Sequence, residues 1–318
     1  MAEMRRLGSS GLETPRLVLG GNVFNNTVRG EEAFAILDRF VASGGTMVDT
    51  ADVYSAWVPG HRGGESETLL GLWLRRRGRR EDVLIATKVG MLPGEGGEKL
   101  EGARIAAAAE ASLKRLGTDH IDLYYAHKDD QGTSLEETLA AFDRLVKEGK
   151  VRVLGASNYS AERLGEALAV SAREGLARYE VLQPELNLMA RGGFEGALQA
   201  LCIERDVGVL PYFGLASGFL TGKYRSDADF AKSVRGKGMA KYLNPRGMRV
   251  LAALDDVAAE AGATPAQVAL AWIAAQPGVT APIASATSVG QLEELLGAME
   301  LELSEVQVAR LSAASEEK

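Results

Sequence analysis

The 318-residue sequence predicts an α/β protein of the (β/α)8 TIM barrel class, with an N-terminal β-hairpin before the barrel. Two observations support this prediction. Short β-branched segments alternate with long helical periodicities along the whole chain, and no Pro/Ser-rich linker interrupts them. Eight strand–helix units in about 250–300 residues are the usual size of such a barrel. We therefore expect residues 1–318 to form one domain.

The elements follow from the pattern in chain order. Met4–Leu17, with a turn at Ser9-Ser10-Gly11, is interpreted as the hairpin, which could close the bottom of the barrel. Eight strand-like segments then lie at Val18–Gly20, Met47–Thr50, Val83–Thr87, Ile121–Tyr125, Val151–Ala156, Val181–Gln183, Val207–Tyr212 and Val279–Ile283.

Capping residues mark the helices between these strands. Ser134 and Glu137 predict a capping box, and Gly149 ends that helix. Thr264-Pro265, with Gln267, predicts another helix start. A doubly wound open sheet is the alternative architecture. It is disfavoured because no G-x-G-x-x-G motif follows the first strand.

Composition and charge narrow the class of protein. The sequence is 46% hydrophobic and 25% charged, which is typical of a globular chain and excludes disordered or fibrous classes. Its net charge of −7 has the wrong sign for a nucleic-acid binder. The N-terminus lacks the apolar stretch of a secretion signal, and no apolar run is long enough for a membrane helix. A single cysteine, Cys202, cannot form an internal disulfide and is interpreted as a buried, inert thiol, so we expect a cytoplasmic protein.

Four chemically complementary side chains are predicted at the carboxyl-terminal rim, where barrels of this class carry their chemistry. Asp49 and Tyr54 follow the second strand, Lys88 ends the third, and His127 ends the fourth. A tyrosine hydroxyl, with a pKa of about 10, is a weak acid at neutral pH. A neighbouring ammonium would lower that pKa, and a carboxylate would hold the ammonium in place. An imidazole opposite could orient a carbonyl group.

Each of these residues also has an ordinary structural interpretation. Tyr54 could pack at the rim, Lys88 could be a solvated loop charge, Asp49 could cap a turn, and His127 could be a structural histidine. The placement of all four at one rim favours catalysis.

The same residues, with the motifs Leu19-Gly20-Gly21, Gly64-Glu65-Ser66-Glu67, Gly155-Ala156-Ser157-Asn158 and Leu215–Tyr224, resemble the aldo-keto reductase family from about Arg6 to Ser312. The resemblance implies a barrel that reduces aldehydes or ketones with NAD(P)H. It implies Tyr54 as general acid, Lys88 and Asp49 as the pair that tunes it, and His127 as the carbonyl-orienting residue. It also implies that Ser157, Asn158 and Gln183 hold the nicotinamide carboxamide and that Tyr212 stacks on its ring. The remaining cofactor contacts implied in this way are Gly21, Asn22, Gly214, Leu215, Ser217, Gly218, Leu220, Lys223, Ser285, Thr287, Gln291 and Glu294.

A basic segment supports a phosphate site near the seventh strand. The interval between Tyr212 and Ile283 is about twice the usual spacing, and a long loop at a functional rim is often a binding element. Residues 217–247 carry an excess of five positive charges. The basic residues are Lys223, Arg225, Lys232, Arg235, Lys237, Lys241 and Arg246. For the distal half of the loop, a merely solvated surface stays an alternative.

Several features leave alternatives open. Ser285, Thr287 and Gln291 replace the Lys or Arg that relatives often use against the 2′-phosphate of NADPH, and Gln291 could instead belong to a capping box with Ser288. We expect NADPH, with NADH or dual use as the alternative. Phe24 and Trp57 are candidates for the substrate wall.

The alternatives to a carbonyl reductase are a dinucleotide-sensing binding module and a lyase that uses Lys88 as a Schiff-base nucleophile. No metal site is expected, because the histidines and carboxylates are too loosely spaced. We expect a small carbonyl substrate as the partner, with neither nucleic acid nor membrane. The substrate itself, the oligomeric state and the physiological direction stay open.

Overall fold

The N-terminal hairpin closes one end of the barrel, as the sequence indicated. The computed structural model describes residues 3–93, 99–232 and 236–317. Strands β1 (Arg5–Arg6) and β2 (Glu13–Thr14) pair antiparallel. Leu7 and Leu12, in the turn between them, are buried in the barrel interior. The hairpin therefore forms the floor below the interior core.

Eight parallel strands form the barrel wall and confirm the predicted fold class. They are β3 (Val18–Gly20), β4 (Met47–Asp49), β5 (Leu84–Val89), β6 (Ile121–Ala126), β7 (Val151–Ser157), β8 (Tyr179–Gln183), β9 (Gly208–Val209) and β10 (Ile283–Ala284). Their spatial order is β10-β3-β4-β5-β6-β7-β8-β9. The ring closes between β9 and the segment before β10, through a parallel bridge of Val209 with Val279 and a bond from Ile283 N to Pro211 O of 2.8 Å.

The last two strands are shorter than the sequence predicted. Only two residues of each are regular strand. Pro211 and Pro282 interrupt the predicted segments, and a proline has no backbone N–H to give to the ladder. The strand β9 lies within its predicted segment, whereas β10 begins at the last residue of its predicted segment, and both are shorter than predicted.

Ten α-helices surround or follow these strands within the described residues. They are α1 (Gly30–Ala42), α2 (Glu65–Arg77), α3 (Gly102–Leu116), α4 (Leu135–Lys147), α5 (Ala161–Glu174), α6 (Ala197–Glu204), α7 (Pro245–Ala261), α8 (Pro265–Ala274), α9 (Val289–Leu296) and α10 (Glu305–Ala314). No helix within these residues is both long and apolar enough to cross a membrane.

The predicted helix caps are confirmed in part. Thr264 and Gln267 form the full capping box before α8. Ser134 accepts a bond from the Glu137 backbone N–H, but the Glu137 carboxylate accepts from Gly102 N instead of completing the box. The pairing of α3 with α4 therefore replaces the expected local bond.

Side chains of the strands alternate between two cores, and this alternation positions the site. Along β5, Ala86 packs inside the barrel, whereas Ile85 packs between barrel and helices. Lys88 then continues the inward face and Thr87 the outward face, because successive side chains of a strand point to opposite sides. At the end of β5, a single strand therefore separates the inward-facing Lys88 from the groups that pack outside the barrel, so its wall here is one residue thick.

Cys202 on α6 is 1% exposed. Burial raises the pKa of its thiol to about 12, which keeps it protonated at neutral pH. The interpretation of this cysteine as a buried, inert thiol is consistent with its position.

Candidate active site

The inward faces of four strands meet at one rim. Asp49 ends β4, Lys88 lies near the end of β5, Ser157 ends β7 and Gln183 ends β8. All four side chains are at least 98% buried. Parallel strands of a barrel carry their carboxyl ends to the same rim, so side chains far apart in sequence become neighbours.

Lys88 is the centre of the site. Its Nζ donates to Asp49 Oδ2 at 2.7 Å, to the Thr50 carbonyl oxygen at 2.8 Å, and to the Tyr54 hydroxyl at 2.9 Å. These three acceptors match the three donors of an ammonium group. The Gln183 side chain in turn donates Nε2 to Asp49 Oδ1 at 2.8 Å, so each oxygen of this carboxylate has a donor. The arrangement holds a fully buried cation against the tyrosine oxygen.

The Tyr54 hydroxyl lies between Lys88 and Asp49. Besides accepting from Lys88, it lies 3.3 Å from Asp49 Oδ2, to which it donates. Burial, and then the Asp49 carboxylate, raise the pKa of Tyr54 well above its usual value. The net change in the Tyr54 pKa is therefore upward, opposite to the lowered value expected from the sequence, because burial outweighs the favourable effect of the ammonium. The hydroxyl keeps its proton at neutral pH, as a general acid requires.

His127 lies beside the tyrosine with its ring edge-on. The two ring centroids are 6.1 Å apart. Its Nδ1 is buried and has no hydrogen-bond partner in the described parts of the chain. Burial, and then the charges of Lys88 and Lys128, hold the pKa of His127 well below its usual value. The imidazole is therefore neutral and has hydrogen-bonding capacity to spare.

A second set of polar groups lies between β7 and β9. Ser157 Oγ donates to the Gln183 carbonyl oxygen at 2.8 Å. Asn158, with a φ of 60°, donates Nδ2 to the His127 carbonyl oxygen, and its Oδ1 accepts from the Tyr212 hydroxyl at 2.7 Å. The structure thus brings together Ser157, Asn158, Gln183 and Tyr212, next to the Asp49–Lys88–Tyr54 set.

The two candidates for the substrate wall have different positions. Trp57 is 55% exposed, and its ring lies edge-on to Tyr54 with centroids 6.2 Å apart. Phe24 is fully buried in the core between barrel and helices. Phe24 therefore does not line the open rim, because its apolar ring is covered by the packing of the first βα unit.

The residues after β3 and β10 are linked to each other. Gly21 N donates to the Asp49 carbonyl oxygen at 2.7 Å, and Ser285 Oγ donates to Asn22 Oδ1 at 2.6 Å. Gln291 Oε1 accepts from both the backbone N–H and the hydroxyl of Thr287 at 2.9 Å.

The predicted capping box at this helix is thus only half formed. Ser288 accepts from Gln291 N, while the Gln291 side chain bonds Thr287 instead of Ser288. Glu294 is half-buried farther along α9, and its carbonyl oxygen accepts from Gln267. The Gln291 side chain therefore bonds Thr287 within the protein, and its contact with a cofactor stays a prediction.

The loop after β9 has unusual backbone geometry. Gly214 and Leu220 are buried, and Leu215 precedes a short 3-10 helix (Ala216–Thr221). Within that helix, Ser217 and Gly218 have φ values of 58° and 97°. Backbone of this kind builds concavities that bind anions.

Lys223 lies beside this turn. A Cβ atom placed on Gly218 would be 3.6 Å from Lys223 Nζ, and the ammonium also lies over the Tyr224 ring. A cation therefore flanks the left-handed turn.

The rest of the basic segment is largely committed to protein partners. Arg225 pairs with Asp255 at 2.7 Å and Lys232 with Asp229 at 2.7 Å. Arg246 Nε donates to the Ser315 carbonyl oxygen at 2.8 Å, behind the C-terminal helix. Arg225, Lys232 and Arg246 therefore already have acceptors within the protein, and their part in a phosphate site stays a prediction.

The other basic residues of the segment differ in position. Lys237 is exposed, and Lys241 lies over the Tyr242 ring at 4.7 Å from its centroid. Arg235 lies outside the described residues. Among the named cations that the structure describes, Lys223 is the one beside the turn at Ser217-Gly218.

Sequence reasoning missed four groups that support the site. The Thr50 carbonyl oxygen is the third acceptor of Lys88. The Thr50 hydroxyl donates to Ser66 Oγ, and Ser66 Oγ in turn donates to the Gly21 carbonyl oxygen. Asp52 and Glu67 are buried behind the rim. Ser66 and Glu67 lie inside a motif quoted for the family resemblance, and Thr50 and Asp52 lie between Asp49 and Tyr54, but nothing in the residue pattern distinguished their roles. Within the described residues, no group of three or more His, Cys, Asp or Glu side chains is arranged to hold a metal.

Comparisons with known proteins identify the family and several relatives of this chain. The model of the aldo/keto reductase family matches residues 16–316. An aldo-keto reductase of Strobilurus tenacellus is 35% identical over 94% of this chain and 86% of that protein. A probable voltage-gated potassium channel subunit beta of Arabidopsis thaliana is 34% identical over 94% and 92% of the two chains. An aldo-keto reductase of Schizosaccharomyces pombe, named for NADP(+), is 30% identical over 88% and 81%.

Proposed function

We propose that this chain, which belongs to the aldo/keto reductase family, reduces an aldehyde or ketone to an alcohol with NADPH, and that Tyr54 supplies the proton. The family as a whole carries out NAD(P)H-dependent carbonyl reduction. The observation that carries the finer proposal is the contact of Lys88 with both Asp49 and Tyr54 at 2.7 and 2.9 Å. This buried chain of contacts ends on a hydroxyl at the open rim.

The residues present fit a nicotinamide dinucleotide. Asn158 and Gln183 offer amide groups at the rim, and the half-buried Tyr212 ring lies beside them. The left-handed turn at Ser217-Gly218, with Lys223 next to it, offers a concavity and a cation for the pyrophosphate. The name of the S. pombe relative favours NADP(H). The absence of Lys or Arg at Ser285, Thr287 and Gln291 keeps NADH as the alternative.

The protein groups have separate tasks in the reduction. When bound, the nicotinamide supplies a hydride from C4 to the carbonyl carbon. The carbonyl oxygen accepts hydrogen bonds from the Tyr54 hydroxyl and the neutral His127, so two donors stand where negative charge develops. Tyr54 then releases its proton to that oxygen, and the Lys88 ammonium stabilises the phenolate left behind. Asp49, held by Gln183, keeps the ammonium in position.

The test is the oxidation of NADPH with 4-nitrobenzaldehyde, compared between wild type, Tyr54→Phe and Tyr159→Phe. Tyr159 is a buried tyrosine whose ring packs in the core between barrel and helices, with its hydroxyl 3.4 Å from that of Tyr179, and serves as a matched control. Loss of the acid should lower kcat by about 10² to 10⁴, while the control keeps wild-type turnover. If Tyr54→Phe stays within about tenfold of wild type, Tyr54 is not the proton donor.

The alternative is a dinucleotide-sensing binding module on the same barrel. The relative from A. thaliana named as a channel subunit favours it, whereas the complete Asp49–Tyr54–Lys88–His127 set favours turnover. Tight cofactor binding with no oxidation across a broad panel of carbonyl compounds would support the module instead.

A further inference from the structure

A buried ionic cluster lies on the outer side of the barrel wall, behind Lys88. We call it the outer-wall cluster; its members are Asp52, Glu67, Arg104 and Arg115. Asp52 is 1% exposed and Glu67 is fully buried. Glu67, on α2, accepts from Arg115 Nε of α3 at 2.6 Å and from Thr87 Oγ1 at 2.6 Å. Thr87 is the outward-facing neighbour of Lys88 on β5.

Asp52 is the unusual member of the outer-wall cluster. Neither of its carboxylate oxygens has a hydrogen-bond partner in the parts of the chain that the structure describes. Its closest cation, Arg104 of α3, lies 3.7 Å away. Leaving a buried carboxylate without donors is costly in a fold that satisfies most buried polar groups. A role for its charge would account for its retention.

Asp52 is coupled directly to the lysine. Its backbone N–H donates to the Lys88 carbonyl oxygen at 3.2 Å, which joins the loop after β4 to the end of β5. Burial lowers the pKa of Lys88, and the negative charges of Asp49, Asp52 and Glu67 act against that effect. Asp49 contacts the ammonium from inside the barrel, whereas Asp52 and Glu67 act from outside through a wall one residue thick.

We propose that Asp52 is a positioning residue for carbonyl reduction: together with Glu67, its carboxylate keeps the Lys88 ammonium charged, so that Tyr54 retains its proton-donating partner. The inference rests on the proposed function of the Lys88–Tyr54 pair. It adds an electrostatic contribution from residues that touch neither the substrate nor the cofactor.

The charges around Asp52 decide when this contribution operates. Glu67 faces it from α2, Arg104 and Arg115 from α3, and the Tyr124 hydroxyl from β6. Burial and the Glu67 carboxylate raise the pKa of Asp52 to about 7, and the positive charges of Arg104 and Arg115 offset only part of this rise. The carboxylate is therefore mostly ionised in mildly alkaline solution, where Lys88 most needs support to stay charged.

The test is the pH profile of kcat for aldehyde reduction in wild type, Asp52→Asn, Asp52→Glu and Asp143→Asn. Removing the Asp52 charge should move the alkaline limb about one pH unit toward neutrality, the effect of one nearby charge on a buried ammonium. Asp52→Glu keeps the charge, so its alkaline limb should lie close to that of wild type. Asp143, a buried acid on α4, is the control and should leave the limb in place. A purely structural role would lower kcat at every pH and leave the limb unmoved, and that outcome would overturn the inference.

A second readout separates this inference from the proposed function. NMR titration of the Lys88 side chain, in protein with ¹³C-labelled lysine, reports its pKa without any turnover. The midpoint of the Lys88 titration should fall to lower pH in Asp52→Asn. If Asp52→Asn does not fold, the same fall is expected in Glu67→Gln. If wild type reduces no carbonyl compound, the proposed function fails, while the titration still decides whether Asp52 sustains the charge of Lys88. An unchanged midpoint in the folded variants refutes the inference.

Discussion

Replacing Asp52 with Asn should change how stability depends on pH. The pKa of this buried carboxyl rises from 3.8 to about 7 on folding. A raised folded-state pKa means that the neutral acid gives its full contribution to stability below pH 3.8 and loses it as the pH rises toward 7. About three pKa units correspond to about 4 kcal/mol. Asn cannot ionise, so the variant escapes this loss.

The expected result is a difference curve. The free energy of unfolding of Asp52→Asn, minus that of wild type, should rise by up to about 4 kcal/mol between pH 4 and pH 7 and stay level above pH 8. Urea unfolding at half-unit pH steps, analysed by linear extrapolation, measures it. A difference that stays constant across this window would refute the reasoning, since it would mean that Asp52 is either ionised or paired throughout.

Three further predictions concern other parts of the molecule. Rates of carbonyl reduction should fall as the pH rises through the pKa of Lys88. Burial lowers the pKa of Lys88 and raises that of Tyr54, so the lysine loses its proton first. Initial rates measured from pH 6 to 10.5 check this. Asp122→Asn, which removes the acceptor of two arginines at the opposite end of the barrel, should cost about 3–5 kcal/mol in urea unfolding without moving that limb. Gly71→Ala should lower the free energy of unfolding by about 1–3 kcal/mol in the same assay, because the new Cβ would lie 2.1 Å from the Arg115 carbonyl oxygen.

The fold and the meeting of polar side chains at the rim were predictable because both depend on spacing. Regular strand–helix units place the strand ends at one rim, and the period of two then turns Asp49 and Lys88 inward together. The same spacing located Gln183 and Tyr212. No tertiary information was needed beyond the rule that parallel strands of a closed barrel share their carboxyl ends.

The basic segment was not predictable, because a count of charges does not show their partners. Arg246 looks like a loop cation in the sequence, but it binds the carbonyl oxygen of Ser315 almost seventy residues later. Phe24 shows a related limit: an aromatic residue after a strand can face the rim or the core, its sequence context does not distinguish them, and the structure buries this one. Both positions depend on long-range contacts that no local pattern encodes.

Asp52 shows how position on the wall, rather than residue type, determines a role. Asp49 and Asp52 are three residues apart and chemically identical, yet one contacts the Lys88 ammonium inside the barrel and the other lies behind it, beside α2 and α3. Because only one strand separates the two sides of the wall, the charge of an outward-facing group still affects the pKa of the inward-facing lysine. The low dielectric of the interior strengthens this effect. The helices that cover a barrel can therefore tune the chemistry at its rim without contributing any group to the rim itself.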